Sequence, residues 1–151
     1  MSVRQPDSAG AGADVPGTPP VPALLVMHAD LAAALLRAAS SVYERVDGIG
    51  VLSNEGLGKD QLEARIAGEV ESWTHGGLVL TDFWGGSCHM CGASAALTRP
   101  GHGEIALITG VNLPILLDYL HNRGQLGVAE LAERLRQKGR DSIRVQRGPG
   151  E

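Results

Sequence analysis

The apolar positions of this chain fall into short runs separated by amphipathic stretches. Ala23–Met27 (ALLVM), Ile49–Ser53 (IGVLS), Leu78–Phe83 (LVLTDF) and Ile105–Ile108 (IALI) are brief and mostly aliphatic. Runs of that length bounded by turn residues predict buried strands. Between them, apolar residues recur every three or four positions. Leu31, Leu35, Ala38 and Val42 make one stripe, and Leu62, Ile66, Val70 and Trp73 another. Such spacing places four side chains on one helical face. Cys88–Leu97 follows a Gly-Gly-Ser turn, is rich in small residues and reads as a helix stopped by Pro100 and Gly101. Asn112 is placed to cap a further helix with Pro114 in its first turn, where a missing N–H is tolerated. Val128, Leu131 and Leu135 mark a last helix, with Gly139 as its stop. Ile143–Val145 is a candidate final short strand.

Strands alternating with helices predict an α/β fold, a three-layer sandwich with a mainly parallel open sheet and helices on both faces. Continuous apolar runs, rather than strict alternation, fit strands covered on both sides. In such sheets ligands bind beyond the carboxyl ends of the strands, where strand order reverses. The chemistry is therefore expected in the loops that directly follow the strands.

Composition sets the outer limits. Residues 1–20 (MSVRQPDSAGAGADVPGTPP) are rich in Pro, Gly, Ala and Ser. They bury too little to stay ordered and are expected to form a flexible tail. One domain is expected over residues 21–146, with a frayed end at 147–151. The net charge is −4, from 13 basic and 17 acidic residues, with no block of one sign. That argues against nucleic acid as a partner, which favours a clustered basic stripe. No apolar stretch reaches the roughly 18 residues a membrane span needs, and the N-terminus lacks a charged-then-apolar signal pattern. A cytoplasmic protein is expected, meeting a membrane only indirectly. Cys88 and Cys91 are three positions apart, too close to staple a secreted scaffold.

Three strand ends carry the candidate chemistry. His28 follows the first. Asp82, Phe83, Trp84, Gly85, Gly86 and Ser87 follow the third, and Thr109–Asn112 the fourth. If the first and third strands are neighbours, His28 and Asp82 can meet. A carboxylate bound to one imidazole nitrogen fixes the tautomer and leaves the other nitrogen free to attack. Gly85 and Gly86 let the backbone approach closely, and Ser87 opens a helix whose free N–H groups favour an anion. Together they suggest a nucleophilic histidine beside a phosphate cradle. Taken singly, each has a plainer reading: a structural histidine, a simple turn, a loop-capping Asp. No Gly-x-x-x-x-Gly-Lys-Ser/Thr and no Gly-x-Gly-x-x-Gly follows a strand, so the chain is not built to hold a nucleotide.

These segments resemble the IIA domain of the mannose-type bacterial phosphotransferase system (PTS). The similarity lies in VMHADLAAALLRAA around His28, GLVLTDFWGGS ending at Ser87, and ALITGVNLPILL around Gly110–Pro114, in that order and spanning roughly residues 22–146. The resemblance implies that His28 accepts a phosphoryl group from the small carrier HPr and passes it to a IIB component. It implies that Asp82 hydrogen-bonds the His28 ring, and that Ser87 and nearby amides surround the phosphoryl group. It also implies homodimers in which a C-terminal strand, Asp141–Val145 here, crosses to the partner. No metal or other cofactor is expected for this step. Two departures stand out: Ala29 replaces the Gly that many members have after the histidine, and Cys88 replaces the Pro that follows their Ser. A regulatory module, whose His28 phosphorylation state is sensed by other proteins, is the alternative. A carrier feeding dihydroxyacetone kinase and a scaffold without chemistry are weaker options.

Other residues have plainer readings. Phe83 and Trp84 either dock partners or pack their loop. Cys88-x-x-Cys91 with His89 has half-site spacing for zinc, but no second pair follows, and small-residue filling of a helix start is preferred. His75, His102 and His121, with Arg134, Arg136, Lys138 and Arg140, are read as solvated.

Overall fold

The computed structural model describes residues 19–150, so all but the last two residues of the expected tail lie outside the described region. The elements are β1 (Ala23–Met27), α1 (Leu31–Ser40), β2 (Ile49–Ser53), α2 (Lys59–Val70), β3 (Gly77–Thr81), α3 (Ser87–Ala96), β4 (Ile105–Ile108), α4 (Leu113–Asn122) and α5 (Val128–Ser142). The sheet order is β2-β1-β3-β4, and every neighbouring pair is parallel. From β1 the chain first winds outward to β2, then returns to β3 and β4 on the other side. Strand order therefore reverses between β1 and β3.

Burial follows position in the sheet. Every residue of the central strands β1 and β3 is buried, whereas the edge strands β2 and β4 are mostly half-buried. Alternate β1 residues feed two cores, because successive side chains point to opposite faces. Leu25 and Met27 pack with Leu78, Leu80 and the helices α1, α4 and α5. Leu24 and Val26 pack with Val79 and the helices α2 and α3. This is the three-layer sandwich that the alternating pattern predicts. Leu62, Ile66, Val70 and Trp73, and likewise Val128, Leu131 and Leu135, are buried as their spacing requires.

Helix α3 explains its own composition. Its buried face is Cys88, His89, Cys91, Gly92 and Ala96. A Cβ on Gly92 would stand 3.0 Å from Leu107 Cδ1 and 3.3 Å from Val79 Cγ1, so small residues let this helix lie close on the sheet.

Four local expectations are corrected. The buried face of α1 is Ala32 and Ala39, supported by Leu35 and Leu36, while Leu31 and Val42 are exposed. The small alanines, not the larger stripe, face the sheet because they permit closer approach. β3 ends at Thr81, leaving Asp82 and Phe83 in the following loop. Gly139 does not stop α5, which runs on to Ser142. It serves helix packing instead: a Cβ there would meet Ile115 Cδ1 of α4 at 2.6 Å. Ile143–Val145 forms no strand in the single chain; residues 143–150 have no regular structure and are exposed.

Four residues read as solvated also have partners, among them His121, whose Nδ1 lies 3.4 Å from the Tyr43 hydroxyl. Arg134 donates twice to the buried carboxylate of Asp118, at 2.9 and 3.2 Å, tying α5 to α4. His102 Nδ1 lies 2.9 Å from the Trp73 carbonyl oxygen. Arg136 pairs with Glu133 at 3.5 Å. Asn112 caps α4 as expected, its Oδ1 accepting from the Ile115 N–H at 3.1 Å.

Candidate active site

The loops after β1 and β3 meet at the point of strand reversal. His28 Nδ1 lies 2.8 Å from Asp82 Oδ2, and the His28 backbone N–H donates to the same oxygen at 3.0 Å. The Asp82 Oδ1 accepts from the Phe83 N–H at 3.2 Å. Both carboxylate oxygens are thus held by loop donors. Burial alone would raise the Asp82 pKa, but the hydrogen bonds from the His28 backbone and ring outweigh it and leave the carboxyl below its usual range. Ionised Asp82 accepts only, so the proton between the two groups sits on Nδ1. The lone pair is then on Nε2.

Nε2 faces the start of α3. Ser87 Oγ is 3.4 Å away. The N-cap of α3 is Gly86, with no side-chain cap, and the first intrahelical bond is Met90 N–H to Gly86 C=O. The N–H groups of Ser87, Cys88 and His89 therefore stand at the positive end of the helix without intrahelical acceptors. An anion beside Nε2 finds a hydroxyl and helix-terminal amides on that side.

The glycine pair has two different duties. Gly85 has φ +87°, a conformation natural only to glycine, and its N–H donates to His89 Nδ1 at 2.9 Å. Gly86 allows close approach: a Cβ there would meet Phe83 Cζ at 2.6 Å and His28 Cε1 at 3.1 Å. Phe83 stacks on the His28 ring, with centroids 4.8 Å apart and planes at 24°. Trp84 lies on the His89 ring at 4.2 Å. Both aromatics nonetheless remain exposed, Trp84 at 77%, so each braces the loop with one face and offers the other to solvent.

Ala29 adopts φ +51°. That left-handed conformation costs an L-residue about 1–2 kcal/mol and is free for glycine, so the departure after the histidine shows itself as backbone strain. Its N–H donates to Asn54 Oδ1 at 3.1 Å, and Asn54 Nδ2 reaches Ser87 Oγ at 3.4 Å. Asn54 follows β2 directly and ties all three loops together. Sequence reasoning missed it, although the rule applied to the other strand ends also covers this one.

Cys88, read from the sequence as helix filling beside Cys91, also stands at the site. It is fully buried, and its Sγ lies 3.7 Å from His28 Nδ1. Burial, with a further push from the Asp82 charge, raises the thiol pKa to about 11, so the sulfur is protonated at neutral pH. Cys91 is also a free, buried thiol but turns to the Lys59 carbonyl of α2, at 3.9 Å. The Cys-x-x-Cys spacing hence assembles no shared site; Cys88 joins His28 and Asp82 instead.

The site is thus a histidine oriented by a carboxylate at the switch point of a parallel α/β sheet. The family model described as "PTS system fructose IIA component" (EIIA-man) matches residues 23–136, and the chain belongs to this phosphotransfer family. No curated protein matches the chain significantly. Among solved structures, the PTS component EIIA from Streptococcus agalactiae superposes with a TM-score of 0.77 at 17% identity, covering 83% of this chain and 96% of that one. The mannose/sorbose-specific IIA subunit from Enterococcus faecalis gives 0.72 at 24% identity, covering 88% and 99%. A sigma-54 interaction domain protein from Enterococcus faecalis gives 0.66 at 18%, covering 82% and 93%. These likenesses establish the fold. Among the described residues, no helix is long and apolar enough to cross a membrane.

Proposed function

We propose that the chain is a phosphoryl carrier of the phosphoenolpyruvate-dependent PTS, accepting from phospho-HPr on His28 and delivering to a cytoplasmic IIB component. The observation that carries this reading is the His28–Asp82 pair, with Nε2 left free and aimed at Ser87 and the start of α3. Phosphoryl transfer asks mainly for positioning and for donors to the equatorial oxygens. Nε2 attacks phosphorus as the donor's P–N bond breaks. The ring, still carrying its Nδ1 proton, becomes cationic, and ionised Asp82 stabilises that charge. Ser87 Oγ and the α3 amides hold the phosphoryl oxygens, Gly85 and Gly86 shape the loop, and no cofactor enters the step. Phe83 and Trp84 present the apolar surface on which a partner docks. Incubation with phosphoenolpyruvate, enzyme I and HPr should add one acid-labile phosphoryl group by intact mass. His28→Ala should remove it entirely; a persistent adduct in that variant would end the assignment.

Homodimerisation belongs to the same reading. β4 is one of the two edge strands, and Ile143 and Val145 are each 77% exposed on the irregular segment after α5. Ile143→Asp should shift the chain toward monomer in sedimentation; an unchanged mass would exclude that segment from the interface.

A regulatory role is the second reading, favoured by the structural likeness to a sigma-54 interaction domain protein. Phosphoryl loss to a cognate IIB would favour transport. Stable phosphorylation that alters binding to a regulator would favour regulation.

A further inference from the structure

We propose that His28, Asp82 and Cys88 form a binding site for a thiophilic divalent cation such as Zn²⁺, and that the bound cation blocks phosphoryl acceptance. The binding half stands on geometry alone; the blocking half rests on the carrier reading above. One ligand atom from each of the three residues lies within 4.8 Å of the other two. Imidazole nitrogen, carboxylate oxygen and thiolate sulfur are the ligand types zinc accepts, with three protein ligands and one open position in a reactive site.

The spacings are close to those of a filled site. With Zn–N about 2.0–2.1 Å and Zn–S about 2.3 Å, tetrahedral geometry sets N and S about 3.5 Å apart. The observed Nδ1–Sγ separation is 3.7 Å. Nδ1 and Oδ2, now 2.8 Å apart, would open to about 3.3 Å. The carboxylate is already aimed, because the Phe83 N–H holds Oδ1 and leaves Oδ2 toward the ring. Such outer contacts fix ligand orientation in metal sites. Cys91 takes no part, since its sulfur faces the Lys59 carbonyl.

The proton balance explains the block. Without metal, Nδ1 carries the imidazole proton and Nε2 the lone pair. A cation on Nδ1 displaces that proton, and the neutral ring takes one up on Nε2. The thiol proton leaves to solvent as the sulfur binds. The cluster passes from one net negative charge to neutral, which suits its burial. Nε2–H has no lone pair for phosphorus, so a cation at this site blocks phosphoryl acceptance on His28.

The test uses the full, metal-free chain. Titration with Co²⁺ should give one equivalent of binding with sulfur-to-cobalt charge-transfer absorption in the near ultraviolet. That absorption should vanish in Cys88→Ala and Cys88→Ser and persist in Cys91→Ala. Affinity in both Cys88 variants should fall by more than the roughly 10–100-fold that loss of an outer-shell partner costs. In the same enzyme I and HPr mixture, stoichiometric Zn²⁺ should halt phosphorylation of the wild-type chain but leave Cys88→Ala at its own metal-free rate, and a chelator should restore the wild type. Absorption that survives in both Cys88 variants, or no binding by a chain that accepts phosphoryl normally, would overturn the site. Equal zinc inhibition of wild type and Cys88→Ala would overturn the block. If cobalt binds through Cys88 and His28 is never phosphorylated, the carrier reading falls and the metal site stands.

Discussion

The last turnings of β1 and β3 set two regions side by side in the chain. Up to Met27 and Thr81 every residue is buried, and alternate side chains feed the two cores. One residue later come His28 and Asp82, partly exposed and held by polar contacts between loops. The strands draw their stability from apolar burial, at about 25 cal/mol per Å² removed from water. The loops hold a strained Ala29, a left-handed Gly85 and open helix-terminal amides. Residues that stabilise the fold and residues suited to chemistry are thus separated by a single peptide bond. The sheet tolerates unsatisfied or strained groups at its carboxyl end because its interior does not depend on them.

Substitutions can break that division. The largest stability effect is expected inside the strands. Leu80→Ala removes a fully buried side chain and should cost about 2–5 kcal/mol. Thermal or denaturant unfolding would measure it, while the folded fraction should still accept phosphoryl. Loss of acceptance by folded Leu80→Ala would show that core and site are coupled.

Asp82→Asn probes the other side. The amide keeps the size of the side chain but not the charge that supports the ring, so acceptance should slow by about 10²-fold. Its stability effect should depend on pH with a definite sign. The folded-state pKa of Asp82 is depressed, so its contribution is present above the ordinary carboxylate value of about 4 and fades as pH falls through the lower folded value. The stability gap between wild type and Asp82→Asn should therefore narrow on acidification below that value. A gap that widened there would reverse the assignment.

The smallest effect is expected at Ala29. Glycine relieves the left-handed strain but costs unfolded-state entropy, so Ala29→Gly should stabilise by about 0.5–1 kcal/mol. A destabilisation in the same unfolding experiment would mean that the methyl makes contacts outweighing the strain.

Much of the fold was legible because burial leaves a periodic trace. Leu62, Ile66, Val70 and Trp73 announce a helical face, and ALLVM announces a strand covered on both sides. Where small residues do the packing the trace weakens. Ala32 and Ala39, not Leu31 and Val42, face the core, and Gly139 reads as a stop although it is a contact point between α5 and α4. Within the site, His28 and Asp82 were visible as polar residues after apolar runs, and Ser87 as the residue that opens a helix after a Gly-Gly turn. Asn54 was hidden because its role is to bridge two other loops. Cys88 was hidden by its neighbour Cys91, whose spacing suggested a pair that the helix does not assemble.

By itself the sequence determined the order of strands and helices, the layer architecture, the strand-end placement of His28 and Asp82, and the family. Those follow from local periodicity, turn chemistry and motif order, which act over a few residues at a time. The tertiary structure alone decided which strands are neighbours, and so that groups 54 and 60 residues apart in the chain stand beside the same imidazole nitrogen. It also decided that Arg134 is tied to Asp118 rather than left in solvent. Such contacts depend on strand order and on how closely helices settle, which is set by the summed packing of both cores.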